Sequence, residues 1–182
     1  MKQIALLEDH EILRNLTTSF LKAKTNSEID SYSSSSELIN RITNGVLYDY
    51  LIIDLSLEFG DGFEILDKHK SFPIKSNIII HTSNKDAGVL KHCIELGADA
   101  IISKTSNELE LLNAIDSLDK HKSYYCPKIT AILNNSQRSI YELDEPEKAL
   151  TTREREVLRL MWENNNTEEI SELLSISFFT VE

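Results

Sequence analysis

Residues 50–54 read Tyr50-Leu51-Ile52-Ile53-Asp54, and the fold class turns on that run. Its apolar core shows no polar alternation, so both faces of the strand are buried. A strand buried on both faces belongs to a parallel sheet covered by helices. Ile78-Ile79-Ile80 repeats the pattern. Working outward, strands are predicted at Ile4–Leu7, Ile29–Tyr32, Tyr50–Ile53, Ile78–His81 and Ala100–Ile102, alternating with longer amphipathic stretches. Five β-α units imply an α/β fold, a doubly wound five-stranded parallel sheet with helices on both faces.

Leu13, Leu16 and Phe20 share one face of the first predicted helix, and Val89, Leu90, Cys93 and Ile94 form a stripe on the fourth. Leu109, Leu112 and Ile115 recur at a spacing of three on the fifth, which Thr105 and Glu108 open as a capping box. Tyr124-Tyr125-Cys126-Pro127 leads into a short helix with Pro127 in its first turn, and polar Asn134–Glu147 reads as a linker. Structure resumes near Leu150. Thr151 and Glu154 form a capping box, and Val157, Leu158, Met161 and Trp162 give an apolar face. A second helix runs from Thr167 to Leu174. The organisation is therefore residues 1–120, a linker over 121–148, and a helical segment over 149–182.

The net charge of −11 narrows the functions. Residues 149–182 hold three basic and seven acidic residues, and no basic stripe runs anywhere. Strong non-specific binding to nucleic acid by this stretch is excluded. The first apolar run breaks at Glu8 after four residues, too short for a signal peptide or a membrane span. Cys93 and Cys126 have neither disulfide-framework nor metal-ligand spacing. The expectation is a cytoplasmic protein with no membrane partner.

Polar residues stand at four strand ends: Glu8-Asp9, Asp54, Thr82 and Lys104. A parallel sheet brings those ends to one edge, where ligands of such folds bind. Clustered carboxylates repel one another and raise their own pKa values, which a hard cation such as Mg²⁺ relieves. A carboxylate is also a nucleophile toward phosphoryl groups, and a hydroxyl with an ammonium binds phosphoryl oxygens. Taken singly, each residue has an ordinary reading as a turn, cap, strand or surface residue; the order and spacing of all four carry the signal.

With these positions, Asp61-Gly62 and the stretch Gly97-Ala98-Asp99-Ala100-Ile101-Ile102-Ser103-Lys104, residues 1–120 resemble the receiver domain of two-component response regulators, a flavodoxin-like fold. The resemblance implies that Asp54 accepts phosphate from a sensor histidine kinase. Asp9, Asp54 and the backbone carbonyl of Ser56 would bind Mg²⁺ directly, Glu8 would act through water, Thr82 would sense the phosphoryl group, and Lys104 would pair with it. Two positions depart from the family: Leu57-Glu58 stands where Met-Pro is usual, and Ile101 takes the place of an aromatic switch residue.

Leu150-Thr151, Arg153–Leu158, Glu169-Ile170, Leu174, Ile176-Ser177 and Thr180-Val181-Glu182 resemble the helix-turn-helix of NarL/FixJ (LuxR-type) transcription factors. That likeness implies control of transcription, a homodimer on activation, and DNA contact through Phe179, Thr180 and Val181, with promoter DNA a partner only when the C-terminus is complete. It implies a switch and not an enzyme. A receiver acting only by protein–protein contact, with a vestigial output segment, is the alternative. A metal-dependent phosphatase would place a second aspartate where Ser56 stands.

Overall fold

The computed structural model describes residues 1–57, 62–72, 75–142, 157, 160 and 167–174. Their strands are β1 (Lys2–Leu7), β2 (Ser27–Tyr32), β3 (Tyr50–Ile53), β4 (Asn77–Thr82), β5 (Ala100–Ser103) and β6 (Tyr124–Tyr125). Helices α1 (Glu11–Lys24), α2 (Ser35–Thr43), α3 (Gly62–Lys68), α4 (Ala87–Leu96) and α5 (Leu109–Asp119) connect them in turn, and α6 (Pro127–Glu142) and α7 (Thr167–Leu174) follow. Two compact units are present, Met1–Ser136 and Gln137–Glu182.

The sheet is wholly parallel in the order β2-β1-β3-β4-β5-β6. From β1 the chain passes first to one side and then to the other, so the topological switch lies between β1 and β3. Right-handed crossovers set α1 on one face and α2, α3 and α4 on the other. Every residue of β3 is buried, as are Ile78, Ile79 and Ile80, which is why these runs carry no alternation. Each such side chain contributes about 1.5–3 kcal/mol by leaving water.

The sheet has six strands where the sequence reading has five. Tyr124 N–H donates to Asp99 O at 3.1 Å and Cys126 N–H to Ile101 O at 3.1 Å, and a two-residue edge strand is too short to show any period. Helix α6 runs to Glu142, through much of the stretch read as linker, because its polar residues are good enough helix formers once Ile129 is buried against the core.

The apolar faces also shift. In α1 the buried residues are Thr17 and Leu21, while Leu16 is 58% exposed. In α5 they are Leu111, Ala114, Ile115 and Leu118, with Leu109 half exposed. No capping box of Thr105 and Glu108 forms. Leu109 N–H donates to Asn107 Oδ1 at 2.9 Å, and the Thr105 hydroxyl is engaged by Ser103 Oγ at 3.0 Å.

Helix α7 occupies Thr167–Leu174 as read from the sequence, with Ile170 buried. Val157 is helical. Thr151, Glu154, Leu158, Met161, Trp162, Phe179, Thr180 and Val181 lie outside the described residues.

Candidate functional site

The register decides the site. Leu7 lies beside Ile53, Ile53 beside Ile80, and Thr82 beside Ser103, so β1 and β3 end level, and β4 and β5 end level two residues further along the same edge. Backbone hydrogen bonds extend this order past the last ladder residues. Asp54 N–H donates to Leu7 O at 3.0 Å and Lys104 N–H to Thr82 O at 2.8 Å. The residues that follow the apolar runs are thus delivered to one edge beside the topological switch.

Lys104 stands between two carboxylates there. Its Nζ is 2.7 Å from Asp54 Oδ2 and 2.6 Å from Glu8 Oε2, with side-chain exposures of 11%, 4% and 2% for Lys104, Asp54 and Glu8. Burial pulls the Lys104 ammonium down. The hydrogen bonds and charges of Asp54 and Glu8 outweigh it and hold the group above the ordinary lysine value. Lys104 acts in turn on His81 near the end of β4. Burial first, and the Lys104 charge second, push that imidazole down to about 4.

Glu8 joins two halves of the site. Its other oxygen, Oε1, accepts the His10 N–H at 3.2 Å and lies 3.5 Å from His10 Nδ1, which is 3.0 Å from Asp9 Oδ1. Among the described residues Glu8, Asp9 and His10 form a group whose donor atoms all lie within 4.8 Å. Asp54 is tied to Glu8 through Lys104 and is not in that group. Asp54 Oδ1 accepts the Ser56 N–H at 3.2 Å. Thr82 is fully buried, and its Oγ1 accepts the Asn84 N–H at 3.1 Å. Ile101 is buried in the middle of β5 between Ile80 and Tyr125.

The donor set suits a hard divalent cation. Glu8, Asp9 and Asp54 offer only carboxylate oxygens, Glu8 and Asp54 are almost wholly buried, and among the described residues the Lys104 ammonium bridges those two. A Mg²⁺ ion fits that excess of negative charge.

Several residues missed in the sequence complete the site. Arg14 Nη1 donates to the carbonyls of Glu8 at 2.7 Å and Asp9 at 2.9 Å, which fixes the turn after β1. A cation near a helix start opposes the helix dipole, and that was its available signal. Gly62, which the sequence already marks in the Asp61-Gly62 pair, has no room for a side chain: a Cβ there would clash with Asp54 O and lie 2.8 Å from Leu55 Cα. Contacts of the Lys104 loop with Cys126 and Lys128 span more than twenty residues and leave no local trace in the sequence.

The chain is similar to known proteins. Residues 4–116 match the family described as response regulator receiver domain, and residues 148–182 match the bacterial regulatory proteins described as the luxR family. The transcriptional regulatory protein LiaR of Bacillus subtilis (strain 168) is 30% identical over 181 residues, a match covering 100% of this chain and 86% of LiaR. The oxygen regulatory protein NreC of Staphylococcus carnosus (strain TM300) is 28% identical over 188 residues, covering 99% of this chain and 86% of NreC. Among solved structures, RcsB from Salmonella enterica serovar Typhimurium, bound to promoter P1flhDC with the phosphomimetic BeF3⁻, is similar with a TM-score of 0.70 at 25% identity, over 99% of this chain and 86% of that one.

Proposed function

Because the chain belongs to the response regulator receiver family and is a LuxR-type two-component regulator of transcription, we propose that Asp54 is its phosphoryl acceptor and that phosphate there sets the state of the output segment. The observation that carries this reading is the Lys104 ammonium held between Asp54 and Glu8 at one sheet edge. A lysine poised on the acceptor oxygen is placed to neutralise charge as a phosphoryl group arrives.

The phosphoryl donor is a sensor histidine kinase. An Asp54 carboxylate oxygen bonds to phosphorus while the phosphorus–nitrogen bond of the donor phosphohistidine breaks, and the imidazole leaves with the bonding electrons. Lys104 then gains a phosphoryl oxygen as a partner. Thr82 Oγ1 already accepts from Asn84, so its own proton is the one it offers to a phosphoryl oxygen. Asp9, Asp54 and the Ser56 backbone carbonyl are the ligands read for Mg²⁺, with Glu8 acting through water; when bound, the ion neutralises the transferring oxygens. Ile101 offers no side-chain hydrogen bond, so the signal leaves through Thr82, Lys104 and packing.

The chemistry is that of a switch, without turnover of a separate substrate. Residues 1–120 form the receiver, 121–148 the connection, and 149–182 the output segment. Where the helix-turn-helix is whole, the output segment contacts promoter DNA through the stretch with Phe179, Thr180 and Val181; the activated protein is a homodimer, and its place is the cytoplasm. Among the described residues no helix is long and apolar enough to cross a membrane. Intact-mass spectrometry after incubation with acetyl phosphate and Mg²⁺ tests the acceptor. Wild type gains one phosphoryl group and Asp54→Asn gains none; equal labelling of both refutes the assignment.

A further inference from the structure

The chain beyond α5 turns back onto the loop that carries Lys104. Strand β6 pairs with β5 only to Tyr125, because Pro127 starts α6. The next donor along β5, the Ser103 N–H, is taken by the sulfur of the fully buried Cys126 at 3.4 Å. The same sulfur lies 3.4 Å from Ser106 Oγ. Two residues on, Lys128 Nζ donates to the Thr105 carbonyl and, at 3.1 Å, to Thr105 Oγ1. Thr105 and Ser103 are themselves cross-linked, Oγ1 to Oγ at 3.0 Å and Thr105 N–H to Ser103 Oγ at 3.3 Å. The residues on both sides of Lys104 are therefore gripped by one three-residue segment, while Lys104 N–H rests on Thr82 O.

We propose that Cys126 and Lys128 are positioning residues for Lys104, so that the start of α6 is a mechanical part of the phosphoryl site. This rests on Asp54 being the acceptor. The two contacts are unequal. A thiol is a weak acceptor, but here it is buried beside a strand N–H that has left the β6 ladder behind. The Lys128 ammonium makes charge-assisted bonds, yet it is exposed and screened by solvent. Together they fix the loop backbone from which the Lys104 side chain reaches Asp54. The coupling runs both ways. Drawing Lys104 toward a phosphoryl group pulls on Ser103 and Thr105 and so on the first turn of α6, and restraining α6 restrains Lys104. Such a route needs no side-chain hydrogen bond from Ile101.

Beryllofluoride, a mimic of the bound phosphoryl group, is the probe. The full chain with Mg²⁺ is titrated with it and binding is followed by fluorine NMR. Cys126→Ala and Lys128→Ala are expected to bind about threefold to tenfold more weakly than wild type, the range for losing one modest hydrogen bond to the loop. Lys128→Arg, which keeps the charge and donors, restores the affinity. Lys120→Ala, which breaks the exposed Lys120–Asp116 pair at the end of α5, leaves it unchanged. A purely structural role for Lys128 would lower thermal stability without moving the affinity. Wild-type affinity in Lys128→Ala, or equal weakening in Lys128→Ala and Lys128→Arg, overturns the proposal even where Cys126→Ala does not fold. Asp54→Asn separates the two readings: it should bind no beryllofluoride, and binding equal to wild type would remove Asp54 as acceptor and the clamp with it.

Discussion

Replacing Lys104 with Met removes the ammonium and keeps most of the side-chain volume, so the outcome reports charge more than packing. In the native protein that ammonium meets Asp54 at 2.7 Å and Glu8 at 2.6 Å, and both carboxylates are at least 96% shielded from solvent. Removing one partner of a buried ion pair costs about 3–5 kcal/mol, because the remaining charges are left uncompensated. Lys104 keeps 11% exposure, which places the loss near the lower end, at about 3 kcal/mol. For a unit of this size that is roughly 6–12 °C in melting temperature. The loss should stay level between pH 7 and 9, since the Lys104 pKa is raised. Its stabilisation is complete below the unfolded lysine value and fades only as pH rises through the higher folded one. Mg²⁺ should reverse part of it, because the freed carboxylates gain most from a divalent ion. Urea unfolding of wild type and Lys104→Met, in chelator and in saturating Mg²⁺, measures all of this. A loss under about 1 kcal/mol, the range of exposed pairs, or a loss that Mg²⁺ does not change, would show that Lys104 does not offset buried charge at this edge.

Other perturbations address other parts of the site. Asp9→Asn should weaken Mg²⁺ binding by roughly tenfold or more in an NMR titration; unchanged affinity would remove Asp9 from the ligand set. Gly62→Ala drives a methyl group into the Asp54 carbonyl, and should cost about 1–3 kcal/mol and slow phosphorylation at Asp54. A fully stable, fully active variant would contradict that packing. His81 titrates near 4 when folded and near 6.5 when unfolded, so it stays neutral in the native state. Its stabilisation is present above pH 6.5 and lost as pH falls through about 4, a change of about 3 kcal/mol that His81→Leu should abolish in unfolding curves at pH 7 and pH 4. Parallel curves for both proteins would show that His81 is not the titrating group.

Much of this architecture was legible because it rests on strong local signals. Leu51-Ile52-Ile53 and Ile78-Ile79-Ile80 are apolar on both faces, and only a covered parallel sheet satisfies that. The parallel sheet then does the rest: any polar residue that ends a strand arrives at the same edge, which is how Asp54, Thr82 and Lys104 come together. The helix faces were harder. Thr17 is buried in α1 while Leu16 is largely exposed, and a period of three or four read from Leu13, Leu16 and Phe20 cannot tell those faces apart. Strand β6 is two residues long and helix α6 is polar; both exist because β5 and the core accept them. The grip of Arg14 on the Glu8 and Asp9 carbonyls, and of Cys126 on Ser103, joins polar groups through tertiary placement, which no pattern of apolar spacing encodes.

A phosphoryl group that lands on the carboxylate Lys104 touches forms an acyl phosphate, and trapping that bond chemically locates it. The full chain is phosphorylated with acetyl phosphate and Mg²⁺ and then reduced with borohydride. Reduction converts an aspartyl phosphate to homoserine at the modified position, and peptide sequencing by tandem mass spectrometry locates it. Homoserine is expected at position 54 in place of Asp54, with Glu8 and Asp9 unmodified. Reduction at position 9 in place of Asp9, with Asp54 intact, would contradict it.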